Sequence, residues 1–113
     1  MELKIVVGDD KLTRVALSGK LDVAGEGVIG EQFRALVETS NTSFLVDMSQ
    51  VTYLASLGIR LLFAAAKTLA GDHKKLVVLN PQPMVEETLL NSGTAKLIPV
   101  THDEAEALSL LSV

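Results

Sequence analysis

The sequence predicts an α/β fold with a mixed β-sheet that carries its helices on the sheet surface. After two strand-like segments, helix-like and strand-like segments alternate in the order β-β-α-β-α-β-α-β-α. Two compact apolar runs, Phe44–Val46 and Lys75–Leu79, lack the polar alternation of half-exposed strands and are typical of strands covered on both faces. The 113 residues are the size of one domain, so we expect a single domain over residues 1–113.

The first half of the chain begins with a predicted hairpin. Leu3–Val7 and Leu12–Ser18 are β-rich runs, and the acidic, glycine-containing turn Gly8–Lys11 separates them. Val23–Glu38 has the apolar spacing of an amphipathic helix, which polar residues close. Phe44–Val46 then predicts a strand in the middle of the sheet, and a polar turn beginning at Asp47 leads to the next helix.

The second half alternates helices with short strands. A helix is expected over Leu57–Ala70, a buried strand over Lys75–Leu79, and a helix from about Met84 to the stop signal Asn91–Gly93. An edge strand over Leu97–Val100 and a last helix capped by Thr101 or Asp103 complete the order.

Composition excludes several function classes. The absence of Cys rules out disulfides and thiolate sites, and a net charge of -4 with 4% aromatic residues argues against a nucleic-acid partner. The chain shows no secretory signal, and its longest apolar run, Leu61–Ala66, is far shorter than the roughly 20 residues of a membrane span. We therefore expect a cytoplasmic protein without direct membrane insertion.

The chain has few side chains of the types that usually act in catalysis. His73 and His102 are the only two imidazoles, and no Gly-x-Ser-x-Gly elbow is present, so we expect no enzyme, no metal and no cofactor. Gly25–Gly30 matches the dinucleotide pattern Gly-x-Gly-x-x-Gly, with Asp47 about twenty residues further on. However, six residues separate Ser18, the end of the preceding predicted strand, from Gly25, whereas that pattern needs its first glycine at the strand end. Nucleotide binding is the least favoured function class.

The junction between the central strand and the second helix is the most informative segment. We expect Ser56 to be the N-cap of that helix, and a phosphoryl group at this position would be held by free N–H groups and the helix dipole. At 100° per residue, one side of the helix should pack on the sheet; it comprises Ile59, Leu62, Phe63, Ala66 and Leu69. Leu57, Leu61 and Ala64, flanked by Arg60 and Lys67, should form an outward docking ridge.

These segments together resemble a known family. The residues that carry the resemblance are Val15–Asp22, Leu45–Val51, Tyr53–Leu62, Leu76–Pro81 and Leu89–Gly93. Over nearly its whole length the chain is similar to STAS-domain proteins of the anti-sigma factor antagonist family. The resemblance implies the STAS fold, a mixed sheet of four to five strands with about four helices packed mainly on one side.

The resemblance also implies a switch. In the family, a serine at the position of Ser56 is phosphorylated by a partner that is both an anti-sigma factor and a serine kinase, with a histidine-kinase-like ATPase fold. The unphosphorylated form binds this partner and frees the sigma factor, phosphorylation releases the antagonist, and a phosphatase acting on Ser56 reverses the change. The sequence departs from the family at Ala55, where an acidic residue is frequent, and at Leu57, where a small residue is frequent.

The predicted site therefore consists of a phosphoacceptor and its surroundings. The residues expected to bind the partner are Asp22, Asp47, Ala55, Ser56, Leu57, Gly58, Arg60, Leu61 and Ala64. The alternative function is an accessory subunit of a membrane transporter complex, in which the fold has a structural role and Ser56 is only a helix cap.

Overall fold

The computed structural model describes residues 1–8, 12–94 and 96–111. Its nine elements follow the predicted order. The strands are β1 (Glu2–Gly8), β2 (Leu12–Leu21), β3 (Ser43–Leu54), β4 (Leu76–Leu79) and β5 (Val100–Thr101). The helices are α1 (Val23–Ser40), α2 (Ser56–Gly71), α3 (Pro83–Asn91) and α4 (Glu104–Leu111).

The sheet is mixed and has the spatial order β1-β2-β3-β4-β5. β1 runs antiparallel to β2, from the pair Glu2 and Ser18 to the pair Gly8 and Thr13, which confirms the hairpin. Most of its predicted turn, residues 9–11, lies outside the described residues. The pairs β2 with β3, β3 with β4, and β4 with β5 are parallel. β3 is thus the middle strand, as the apolar run Phe44–Val46 predicts.

β3 is much longer than the sequence predicts, because the polar residues after Asp47 do not form a turn. The strand continues to Leu54 with Met48, Val51 and Leu54 buried and with Gln50 exposed. It pairs with the second half of β2 as far as Leu21. Its later polar residues are half-buried (Asp47 and Ser49) or exposed (Gln50 and Thr52), so the loss of an apolar run does not mark the end of the strand.

Three of the four helices contribute to one core, which confirms helices mainly on one side of the sheet. The large cluster combines Phe33 of α1, Leu62 of α2 and Val85 of α3 with strand residues such as Phe44. The Phe33 and Phe44 rings meet edge to face, with centroids 6.2 Å apart. α4 instead packs Ala107 against Leu45, Val77 and Leu79 in a second, smaller cluster on the other face.

The start of α4 is fixed by polar contacts. The Asp103 Oδ1 accepts from the Ala105 N–H at 2.8 Å, in agreement with the predicted cap. Glu104 forms an ion pair with Arg14 of β2, with an N···O distance of 2.8 Å. The last strand, Val100–Thr101, begins at the end of the predicted segment Leu97–Val100 and is limited to two residues.

Candidate functional site

The carboxyl ends of β2 and β3 lie side by side and bring two distant segments together. Leu21 is paired with Leu54, so the residues that follow them, Asp22 and Ala55, lie at the same edge of the sheet. Each strand then turns directly into a helix, α1 after Asp22 and α2 after Ala55. This arrangement places Asp22 and Ser56 at one edge of the sheet.

The turn before α2 is fixed to the end of β2. The Ala55 N–H donates to the Leu21 carbonyl oxygen at 3.0 Å, and the Ala55 carbonyl oxygen accepts from the Ile59 N–H at 3.1 Å. Gly58 is buried, and a Cβ atom there would lie 2.6 Å from Leu21 Cγ and 2.8 Å from Leu54 Cδ1. Only glycine allows the first turn of α2 to approach the sheet this closely. Gly58 is therefore a packing position beneath Ser56.

Ser56 is exposed and is the first residue of α2, not its N-cap. The N-cap is Ala55, which offers no side-chain hydrogen bond. The prediction of a capping serine is therefore off by one position. Within the described part of the chain, the Ser56 hydroxyl has no hydrogen-bond partner. Because Ala55 has no capping side chain, the first N–H groups of α2 lack a side-chain acceptor. These N–H groups would stabilise a negative charge at this end of the helix.

Asp22 caps the neighbouring helix. Its Oδ1 accepts from the Gly25 N–H at 2.9 Å, and the Asp22 carbonyl oxygen accepts from the Glu26 N–H at 2.8 Å. Gly25–Gly30 therefore lies inside α1 rather than in a phosphate loop, and a carboxylate already accepts from one of the N–H groups in its first turn. A Cβ atom on Gly25 would lie 2.0 Å from the Lys20 carbonyl oxygen, so close packing explains this glycine. The geometry does not fit the dinucleotide pattern.

Asp47 is not at this edge, which corrects the prediction that it belongs to the rim of the site. It pairs with Ala16 of β2, five residues before Leu21, which places it roughly 16 Å from the strand end. Its Oδ1 accepts from the Ser49 N–H at 2.9 Å. The sequence pattern predicts Asp47 close to Ser56 because it predicts that β3 ends near Asp47.

The predicted docking ridge on α2 is only partly outward. Arg60 and Ala64 are exposed and Leu57 is half-buried, but Leu61 is only 4% exposed and belongs to the main core. α1 and α2 pack side by side on the same face of the sheet. The side of α2 that faces α1 is therefore buried in addition to the side that faces the sheet. Ile59 and Phe63, expected on the sheet side, are half-buried at its margin.

A shallow groove between α1 and α2 replaces the ridge. Its volume is about 420 Å³, and its lining residues are Glu26, Arg34, Leu57, Arg60, Leu61, Phe63, Ala64 and Lys67. Arg34 forms an ion pair with Glu26 at 2.8 Å, and the Lys67 ammonium lies 5.7 Å from the Phe63 ring centroid. Leu61, which is buried, closes the groove from below, and the groove carries three cationic side chains and one carboxylate and begins next to Ser56 at Leu57.

Three exposed apolar residues at the same edge were missed by the sequence analysis. Val23 is the first residue of α1, Tyr53 lies near the end of β3 and Met84 lies in the first turn of α3; they are 73%, 47% and 70% exposed. Tyr53 and Met84 line one small depression. For Val23 and Met84 the available signal was a large apolar side chain in the first turn of a helix, where polar residues are usual; Tyr53, in a strand, gave no such signal.

The residues described here do not assemble a metal site, because no group of three or more His, Asp or Glu side chains is placed to hold one ion. Among the described helices, none combines the length and apolar character that crossing a membrane requires. At this edge the exposed Ser56 hydroxyl projects from a fixed helix end among exposed apolar and cationic side chains, an arrangement suited to contact with another molecule.

The comparisons place this fold in a family. The family model described as Mlab, STAS domain matches residues 6–99, and the chain belongs to this STAS domain family. BtrV of Bordetella bronchiseptica, named as a candidate anti-sigma factor antagonist, is 26% identical over 105 residues, which cover 86% of this chain and 90% of BtrV. The chain is therefore a STAS domain similar to anti-sigma factor antagonists.

Solved structures show the same fold at low sequence identity. The anti-sigma factor antagonist SpoIIAA in its unphosphorylated form gives a TM-score of 0.75 at 21% identity, covering 95% of this chain and 93% of SpoIIAA. The phosphorylated Bacillus SpoIIAA gives 0.71 at 16% identity, covering 96% and 97%. The murine anion transporter Slc26a9 gives 0.62 at 18% identity over 75% of this chain and 14% of the transporter.

Proposed function

We propose that residues 1–113 act as one non-enzymatic, cytoplasmic protein-binding module, an anti-sigma factor antagonist switched by phosphorylation of Ser56. The observation that carries this proposal is the exposed, unengaged hydroxyl of Ser56 at the first position of a helix whose N-terminus is fixed by the bond from Ala55 to Leu21. A kinase can reach this hydroxyl without unfolding the helix.

The unphosphorylated form binds an anti-sigma factor that is also a serine kinase with a histidine-kinase-like ATPase fold. Binding uses Leu57, Arg60 and Ala64 on α2 together with Val23, Tyr53 and Met84, all of which present surface at or near the Ser56 edge. Gly58 and Leu61 lie beneath this surface and shape it. Occupation of the kinase then frees the sigma factor, so the outcome is regulation of transcription without contact with nucleic acid.

Phosphorylation ends the interaction for electrostatic reasons. A phosphoryl group adds about two negative charges at the centre of the contact surface. A partner that fits closely around Ser56 would have to remove water from these charges or withdraw its contacting groups from the phosphate. Either change lowers the affinity of the complex. A phosphatase acting on phosphorylated Ser56 restores the binding form. The proposal is supported by the similarity to SpoIIAA, for which phosphorylated and unphosphorylated forms are known.

The direct test is phosphate mapping. The full chain is incubated with its cognate anti-sigma kinase and ATP, and the modified residue is identified by tandem mass spectrometry. We expect one phosphate on Ser56, no incorporation in Ser56→Ala, and normal incorporation in Thr68→Ala, which changes another exposed hydroxyl of the same helix. Phosphate at another residue, or no phosphate, would refute the assignment.

The second candidate is an accessory subunit of a membrane transporter complex, favoured by the similarity to a part of the anion transporter Slc26a9. In that case the same edge would bind a transporter component permanently, and Ser56 would stay unmodified. Gene neighbourhood separates the two: an ATPase of the histidine-kinase type beside a sigma factor supports the switch, whereas permease and transport ATPase genes support the subunit.

A further inference from the structure

A cavity lies at the end of the molecule opposite to Ser56. Its volume is about 440 Å³, within the range of roughly 300–1,000 Å³ that is usual for small-molecule sites. It lies beside the C-terminal half of α2, and the 16 residues of that helix span about 24 Å, so it is separate from the Ser56 edge. None of the proposed switch depends on it.

The inner wall of the cavity is apolar. Leu97, Pro99 and Leu110 are half-buried and present its accessible apolar surface, whereas Leu76 and Val77 of β4 are fully buried at its base. The adjoining backbone is fixed: the Lys74 N–H donates to the Leu69 carbonyl oxygen at 2.8 Å, and the Lys75 N–H donates to the Ser43 hydroxyl oxygen at 3.0 Å. This wall offers a preformed surface for a hydrocarbon group.

The charged residues around the cavity are basic. His73, Lys74, Lys75 and Lys96 line it, and none of its described lining residues is acidic. In the part of the chain that the structure describes, the three lysines form no ion pair. Lys74 and Lys75 follow the C-terminus of α2, where cations complement the helix dipole, but Lys96 comes from a separate loop before β5. Cations therefore converge on the cavity from two segments of a chain whose net charge is -4.

We infer that this cavity binds a free, small amphiphile with one anionic head group, of the class of a medium-chain carboxylate. The hydrocarbon tail lies against Leu97, Pro99 and Leu110, and the head group lies among Lys74, Lys75 and Lys96. Charge complementarity selects an anion, and the apolar wall selects a tail over a compact ion such as phosphate.

The test is an NMR titration of the full chain with octanoate, followed through backbone amides. We expect saturable shifts of Leu76, Val77 and Leu97, with much weaker binding of the neutral analogue 1-octanol and a loss of affinity in high salt. The double variant K75Q/K96Q should bind roughly 5-fold more weakly, because two favourable exposed charge interactions are removed. Lys4 is an exposed residue of β1, at the opposite edge of the sheet from β5, and the control variant Lys4→Gln should bind octanoate like the parent protein.

Three results would overturn the inference: no saturable shifts, equal affinity for octanoate and 1-octanol, or unchanged affinity in K75Q/K96Q while the variant remains folded. An anionic head group could also come from a lipid in a membrane. Cosedimentation with phosphatidylcholine vesicles containing phosphatidylglycerol tests this source. Sedimentation with these vesicles, without binding of monomeric octanoate, would identify a membrane-surface patch in place of the cavity site and would also contradict the inference.

Discussion

The backbone N–H of Ala55 donates to the carbonyl oxygen of Leu21 at 3.0 Å. This bond joins the residue before Ser56 to the residue before Asp22, so the starts of α1 and α2 are held at one edge of the sheet. Because the exposed hydroxyl of Ser56 projects from a fixed helix end, a change of charge there alters the surface without requiring the fold to move.

The packing of Gly58 gives the first prediction. Gly58→Ala should lower the free energy of unfolding by about 1–3 kcal/mol, since the added methyl group has no space beside Leu21 and Leu54. Urea denaturation measures the change. The control is Gly27→Ala in α1, where nothing lies within 4 Å of the added atom and a gain of up to about 1 kcal/mol is expected. A Gly58→Ala protein as stable as the parent would show that the close approach is absent.

Asp22 gives a prediction that separates capping from charge. Asp22→Ala should cost about 0.5–2 kcal/mol of unfolding free energy, because the Gly25 N–H loses its acceptor. Asp22→Asn keeps an acceptor oxygen and should retain most of the stability. Thermal denaturation of both variants tests this account. Equal destabilisation by the two would indicate that the negative charge, and not the capping oxygen, holds the start of α1.

A negative charge at Ser56 should stabilise the protein. Ser56→Asp places a carboxylate at the N-terminus of α2, worth about 0.3–1 kcal/mol, and four residues before Arg60, worth a few tenths more. The melting temperature should rise by about 1–5 °C. Thr68→Asp adds the same charge near the other end of the helix and should give no gain. A lower melting temperature for Ser56→Asp would contradict the proposed electrostatics.

Met84 tests the extent of the docking surface. Met84→Ala should weaken binding to the anti-sigma partner by more than about 1 kcal/mol, roughly 5-fold, because an exposed apolar anchor is removed. The control is Leu108→Ala, which removes an exposed apolar side chain from α4, outside the proposed surface. Titration calorimetry compares the two. If Leu108→Ala weakens binding more than Met84→Ala, the contact surface lies elsewhere.

The sequence predicts the order of all nine elements, the hairpin and the middle position of β3, because apolar periodicity and turn residues are local signals. It does not predict the length of β3, since residues between Asp47 and Leu54 form a strand only through pairing with β2. The burial of Leu61 likewise depends on α1 as a second neighbour of α2, which a helical projection of one helix does not include.

The site is predictable to a lesser degree. The sequence indicates Ser56 at the start of a helix, and the resemblance adds Asp22, but their shared edge depends on the long-range pair Leu21 and Leu54. The same extension of β3 that brings Ser56 to this edge removes Asp47 from it. Val23, Tyr53 and Met84 become neighbours of the site only through the sheet order, so no local pattern in the sequence joins them.

In the proposed switch, the charge of Ser56 decides partner binding. The most direct measurement is the affinity of one anti-sigma partner for the unphosphorylated protein and for the protein phosphorylated only at Ser56, under the same salt conditions. We expect a loss of at least about 2 kcal/mol, roughly 30-fold, on phosphorylation, while Ser56→Ala binds like the unphosphorylated form. Equal affinities of the two forms would contradict it.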